Sequence, residues 1–274
     1  MTAVLLCLLA PITWLPIRWQ WVLGEWLGRG LNRLVPSRRR VIETNLRIAG
    51  FQINSRTVMA AQGCGVMETL ATWFRSPTWI AKHSRFSGAI PSLEGALILT
   101  PHMSSIEFAM AALGAHHPTA ITYLPASNRS LEALRRWGRA RHVSAQLDAH
   151  DLKGMIRQLN ANHALEMAPD HAVHLGQRGI VTTFFNREVK MPAAPLQLAH
   201  KHAKAVYVLG MRRNQTDGVI ELSLEPIELS SNLHEAAANL HTVFEHIIQA
   251  APEQYFWPHR RFKPIDSNQP NPYR

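Results

Sequence analysis

The stretch "GALILTPHMSSIEFA", residues 95–109, decides how the chain folds. Gly95 and Pro101 bracket a short apolar run, which reads as a buried strand, and the chain then turns into a helix at Ser104. Ser104 followed three residues later by Glu107 is a capping box, an ordinary way to start a helix. The same alternation continues outward. "TAITYLPA" (119–126) reads as a second strand, followed by a basic helix in "NRSLEALRRWGRARH" (128–142). "HALEMAPD" (163–170), "IVTTFF" (180–185), "AKAVYVLGM" (203–211) and "VIELSLEPI" (219–227) supply further strands. Asn54 and Ser55 open a long helix with Val58, Met59, Val66, Met67, Leu70, Trp73 and Phe74 at helical spacing. A closing amphipathic helix puts Leu233, Leu240, Phe244, Ile247 and Ile248 on one face, and Pro252 stops it. Strands alternating with helices predict an α/β fold with a mainly parallel, mixed sheet flanked by helices. In such sheets sites form where strands end and helices begin, which singles out His102 and Asp170.

The chain has 274 residues, 46% of them hydrophobic, enough to bury a sizeable core. Without internal repeats or a low-complexity linker, one large domain with terminal segments is the economical organisation. Lys and Arg number 29 against 19 Asp and Glu, a net charge of +10. That balance favours an anionic partner: nucleic acid, an acidic membrane surface, or an acidic protein or substrate. Two cysteines, Cys7 and Cys64, form no disulfide framework and fit a reducing compartment.

"MTAVLLCLLAPITWLPI" carries no charge from Met1 to Ile17. Trp14, Trp19, Trp21 and Trp26 then mix with Arg18, Arg29 and Arg33, and "SRRR" follows at 37–40. A secretory signal places its positive charge before the apolar run, and here it comes after. The run is short for a full span and is interrupted by Pro11 and Pro16. Its aromatic and basic border suits a membrane interface. A buried core helix is the alternative. Residues 1–35 are therefore expected to form an N-terminal membrane anchor or interfacial helix. The basic residues on its C-terminal side would keep the body on the cytoplasmic side.

No P-loop or glycine fingerprint joins a strand to a helix, so a nucleotide fold is not indicated. His171 and His174 in "DHAVH" have one-turn spacing only if helical, no zincin motif is present, and no metal is assigned. His102 and Glu107 stand five apart, about 140° on a continuous helix, so they meet only if His102 precedes the helix. The capping box places them that way. A histidine backed by a carboxylate is a general-base arrangement.

Other residues give this pair a context. "RRRVIETNLRIAGF" (38–51), "HMSSIE", "YLPASNRSLEALRRWGRAR", "APDH", the "FF" at 184–185 and "PEQYFWPHRRFK" (252–263) together resemble the bacterial lipid A late acyltransferases. These are lauroyl and myristoyl transferases of the wider lysophospholipid acyltransferase superfamily. The resemblance covers nearly all of the chain from Arg38 and implies an acyltransferase domain over 36–274. It implies His102 as general base with Glu107 as its partner, and substrate-binding roles for Arg139, Asp170 and Arg141. It further implies an acyl carrier protein as thioester donor, a lipid A precursor as acceptor, no cofactor, and the cytoplasmic face of the inner membrane. Leu124 stands where the family usually has arginine, and "MPAAP" (191–195) lacks the usual glycine. These departures bear on the acceptor and the acyl length more than on the reaction class. Histidine titrates in the range needed to deprotonate an attacking hydroxyl, and an arginine fork suits a phosphate. "HRRFK" (259–263) is open to two readings, binding of lipid phosphates or simple solubilisation. Two rivals stay open: an acyltransferase on another lipid, such as a lysophospholipid or aminoacyl lipid, and a non-catalytic basic protein binding membrane or nucleic acid. The nucleic-acid version lacks a recognisable binding motif and leaves the apolar N-terminus unexplained.

Overall fold

The computed structural model describes residues 10–173, 179–266 and 269–274. Cys7, His174 and the first nine residues of the apolar start lie outside the described residues. The chain opens with a helical layer: α1 (Ile17–Leu34), α2 (Pro36–Ala49), α3 (Ser55–Phe74) and the short α4 (Pro77–Lys82). There follow β1 (Ser84–Phe86), β2 (Ala96–Leu99), α5 (Ile106–Gly114), β3 (Thr119–Tyr123), α6 (Arg129–Arg139) and β4 (Ala145–Asp148). Next come α7 (Leu152–Asn160), β5 (Ala164–Met167), β6 (Ile180–Phe184), β7 (Arg187–Met191) and α8 (Ala194–His202). The chain closes through β8 (Ala205–Asn214), β9 (Val219–Pro226), α9 (Leu233–Ala250) and a 3₁₀ turn at Pro252–Gln254.

Seven strands form one sheet in the order β1-β9-β8-β2-β5-β3-β4. Its neighbours run parallel except β8 and β9, which pair antiparallel. The fold is the expected α/β architecture with a mixed, mostly parallel sheet between helices. The central strands β2 and β5 are buried along their whole length, which is why both read as continuous apolar runs. Helix starts follow local chemistry: the side chains of Asn54, Asn128 and Asn232 each accept an amide of the first turn.

"IVTTFF" is a strand, but not of this sheet. It pairs antiparallel with β7 in a separate two-stranded hairpin that packs against α9. The two-residue turn puts Phe185 and Asn186 at φ 47° and 56°, the positive-φ pair of a tight hairpin.

Helix α1 joins the body closely. Gly24 and Gly28 face α3 at Gly63 and Met59, where an added Cβ would overlap the opposing backbone. Ile17 and Trp21 are buried on the same face. The opposite face leaves Trp19, Leu23, Trp26, Leu27 and Leu34 exposed, with Trp14 just before them. The helix thus carries two apolar faces, one packed and one open. Among the described residues no helix is long and apolar enough to cross a membrane. Cys64, in α3, is fully buried, and burial pushes its thiol up to about 12.

Candidate active site

β2 and β5 are neighbours in register, Leu99 opposite Met167, so the segments leaving their C-terminal ends emerge side by side. His102 follows β2 and Asp170 follows β5. The His102 Nδ1 meets Asp170 Oδ1 at 2.5 Å. Asp170 Oδ2 accepts two further hydrogen bonds, from the His102 amide at 3.0 Å and from the Tyr255 hydroxyl at 2.8 Å. The carboxylate is fully buried, while the His102 side chain keeps 27% of its surface exposed. Burial works against charge on Asp170, but the adjoining His102 and these donors hold the carboxyl well below the usual carboxylate range. Burial alone would lower the His102 imidazole; the charge and hydrogen bond of Asp170 outweigh it and raise the ring above its ordinary value. The pair is a partly exposed imidazole oriented by a buried carboxylate, an arrangement that can serve as a general base.

The closing segment forms the third wall. Met103 bridges to Tyr255, the Phe256 amide donates to the His102 carbonyl at 2.9 Å, and the Ser104 amide donates to the Gln254 carbonyl at 2.7 Å. Beneath the turn, Arg213 of β8 is buried against Glu68 of α3, with contacts of 2.6 and 3.0 Å. The same guanidinium reaches Ser104 Oγ at 3.1 Å and Ser105 Oγ at 3.4 Å. Gly65 of α3 completes this support, since a Cβ there would overlap the Ser104 carbonyl. The segment between His102 and α5 is therefore fixed from three sides.

Glu107 takes neither expected part. Helix α5 starts at Ile106 with Ser105 as N-cap and no side-chain cap, and the serine hydroxyls face Arg213, so the capping box does not form. Glu107 lies in the first helical turn and points toward α3 and α6. There it accepts Arg139 Nε at 2.7 Å and Nη2 at 2.6 Å in a bidentate pair, and Trp73 Nε1 at 2.9 Å. Burial would raise Glu107, but Arg139 holds it below its ordinary value. The carboxylate behind the His102 ring is Asp170. Asp170, which the resemblance assigns to substrate binding, is itself fully buried behind that ring.

Arg139 is largely engaged by Glu107 and lies 5.1 Å over the Tyr123 ring, which leaves its buried Nη1 without a hydrogen-bond partner. Arg141 lies exposed on the surface, 4.6 Å over the Trp137 ring. The "HRRFK" block is neither a lipid clamp nor a solubilising tail throughout. Arg261 and Phe262 are buried, and the Arg261 guanidinium sits 5.0 Å over Phe184. Tyr255 was not singled out from the sequence. The signal was its place in the "PEQYFWPHRRFK" signature, read there only for its charges.

A model of the family described as bacterial lipid A biosynthesis acyltransferase matches residues 2–264. The chain is 28% identical to a lipid A biosynthesis lauroyltransferase of Escherichia coli K12, over 96% of this chain and 94% of the relative. It is 25% identical to the palmitoleoyltransferase of the same organism, over 92% and 91%. A Haemophilus influenzae lipid A biosynthesis acyltransferase is 28% identical over 80% of this chain and 72% of its own.

Proposed function

The chain belongs to the bacterial lipid A biosynthesis acyltransferase family, and we propose that it moves a fatty acyl chain from an acyl carrier protein thioester to a hydroxyl of a lipid A precursor with His102 as general base. The enzyme is an acyltransferase of lipid A biosynthesis. In the proposed reaction the acceptor hydroxyl oxygen attacks the thioester carbonyl carbon while its proton passes to His102 Nε2. The C–S bond then breaks, and the imidazolium returns the proton to the departing thiolate. Asp170 fixes the tautomer that leaves Nε2 free and stabilises the imidazolium, as a carboxylate does behind a hydrolase histidine. Glu107 holds Arg139, and Arg141 offers an exposed cation to an acceptor phosphate or the acidic carrier. We place the enzyme on the cytoplasmic face of the inner membrane, resting on the open apolar face of α1.

The single observation that carries the catalytic reading is the 2.5 Å contact between His102 and buried Asp170 beside a partly exposed ring. The test compares Asp170→Asn, His102→Ala and Glu107→Gln in cells lacking the native protein, with lipid A acylation read by mass spectrometry and turnover measured on purified enzyme. General-base contributions are on the order of 10²–10⁴-fold, so Asp170→Asn and His102→Ala should each lose that much turnover. Combining them should cost far less than the product of the two. Glu107→Gln should lose less than Asp170→Asn. A fully active Asp170→Asn enzyme would remove the pair from the mechanism.

A further inference from the structure

Three imidazoles lie face to face in the active centre, and the proton transfer described above uses one. His171 directly follows Asp170, and its ring lies flat on that of His102, with centroids 3.5 Å apart and planes within 8°. Its other face lies on His259, at 4.1 Å and 15°. The far end of the stack is anchored. The His259 carbonyl accepts from Asn45 Nδ2 of α2 at 2.7 Å, and its Nε2 accepts from the Ala172 amide at 3.3 Å. Asn45 is itself fully buried and also donates to the Trp257 carbonyl at 2.7 Å.

A hydrogen bond at Nδ1 fixes one edge of the His102 ring but leaves it free to rock about that edge. A flat partner on one face removes this freedom. Displacements of about 1 Å at a reacting group can cost ~10²-fold in rate, so the constraint is large enough to matter. The stacked rings also suit the charge that comes and goes on His102. Burial, reinforced by the charge of His102, brings His171 down to about 3, and burial with Arg261 brings His259 down to about 4. Neither ring competes for the proton, and each presents an uncharged π face, the side of an aromatic ring that attracts a cation.

We propose that His171, backed by His259, is a positioning residue for acyl transfer, whose ring face fixes the plane of His102 and supports the imidazolium formed there. This rests on the reading of His102 as general base.

The test uses the full-length purified enzyme and two variants, His171→Ala and His171→Phe, with thioester donor and lipid acceptor. His171→Ala should lower kcat up to about 10²-fold, as expected for a misplaced reacting group, with KM for the donor little changed. His171→Phe keeps a flat ring without nitrogens and should recover most of kcat. A second readout does not depend on turnover: in ¹⁵N-histidine spectra the His102 Nδ1–H resonance should broaden in His171→Ala and stay sharp in His171→Phe. Parental kcat with an unaltered His102 resonance in His171→Ala overturns the proposal. So does a His171→Phe enzyme as impaired as His171→Ala at an equal melting temperature. If His102→Ala itself turns over normally, the general-base reading falls, while the resonance still reports on the stack.

Discussion

In the middle of β5, between Ile98 of β2 and Ile121 of β3, the chain carries Glu166, buried and with its Oε1 lacking a hydrogen-bond partner. Burial pushes its carboxyl up to about 8, against the opposing pull of His102 and Arg139. Such a group is uncharged in the folded protein at neutral pH, whereas the unfolded chain ionises it above pH ~4.3. Folding then takes up a proton throughout that interval. The stability Glu166 permits is therefore complete below the unfolded value and is lost as pH rises through the folded value near 8. Glu166→Gln keeps the shape and removes the titration. Its melting temperature relative to the parent should climb between about pH 5 and pH 8, measured by calorimetry; a constant difference across that window would sink the idea. Sequence reasoning passed over this glutamate because an apolar strand pattern tolerates one exception without comment. It did find His102 and Asp170, since strand-end positions are local signals. It missed that they pair, because the two lie 68 residues apart and meet only through the β2–β5 register. The family resemblance gave Glu107 the partner role and the spacing only permitted it; in the structure the first turn of α5 carries Glu107 to Arg139 instead.

Helices α1 and α3 cross where three glycines allow backbone to approach backbone, and this contact decides how the N-terminal segment relates to the body. At Gly28 a Cβ would overlap the Met59 carbonyl and crowd Ala60 Cα, atoms that cannot rotate away. Gly28→Val should therefore separate the helices, with a loss on the order of 1–3 kcal/mol from overpacking, read as a lowered midpoint in urea. Gly30 has nothing within 4 Å of an added Cβ, so Gly30→Ala is the control and should hold or raise its midpoint, since alanine favours a helix interior over glycine. Equal midpoints for the two would overturn the account. Helix starts were legible because an asparagine side chain caps its own first turn, a matter of three residues. The β6–β7 hairpin was legible as a strand but not as a hairpin, since Phe185 and Asn186 adopt positive φ without the glycine that usually announces it. Phe185 is held there by packing against Phe51, Phe184 and Trp257, and its amide donates to Glu245 at 2.7 Å. Apart from the adjacent Phe184, those partners come from distant elements, so no local reading could weigh them.

The molecule as a whole presents a net charge of +10 and an open apolar face on one helix, and in the proposed membrane contact these two features would act in different ways. Trp19 and Trp26 are 64% and 71% exposed, about two helical turns apart, with Leu23 and Leu27 beside them. Arg18, Arg29 and Arg33 border that face along one flank. Apolar side chains that enter a bilayer boundary contribute in proportion to the area withdrawn from water, on the order of 25 cal/mol per Å². That contribution is insensitive to salt. Arginine contacts to anionic headgroups are screened over ~8 Å at physiological ionic strength. A variant carrying Trp19→Gln and Trp26→Gln should fold with the parental melting temperature, because both side chains already face solvent. Its partition onto vesicles of mixed zwitterionic and anionic lipid should fall by at least about tenfold, as the loss of two inserted aromatic rings implies. The deficit should persist at high salt, whereas the parent's residual dependence on anionic lipid should fade there. Replacing Arg18 and Arg33 by Gln should give the opposite pattern, a defect at low salt that closes as salt rises. Parental partitioning by the tryptophan variant at both ionic strengths would show that the open face of α1 is not what meets the bilayer.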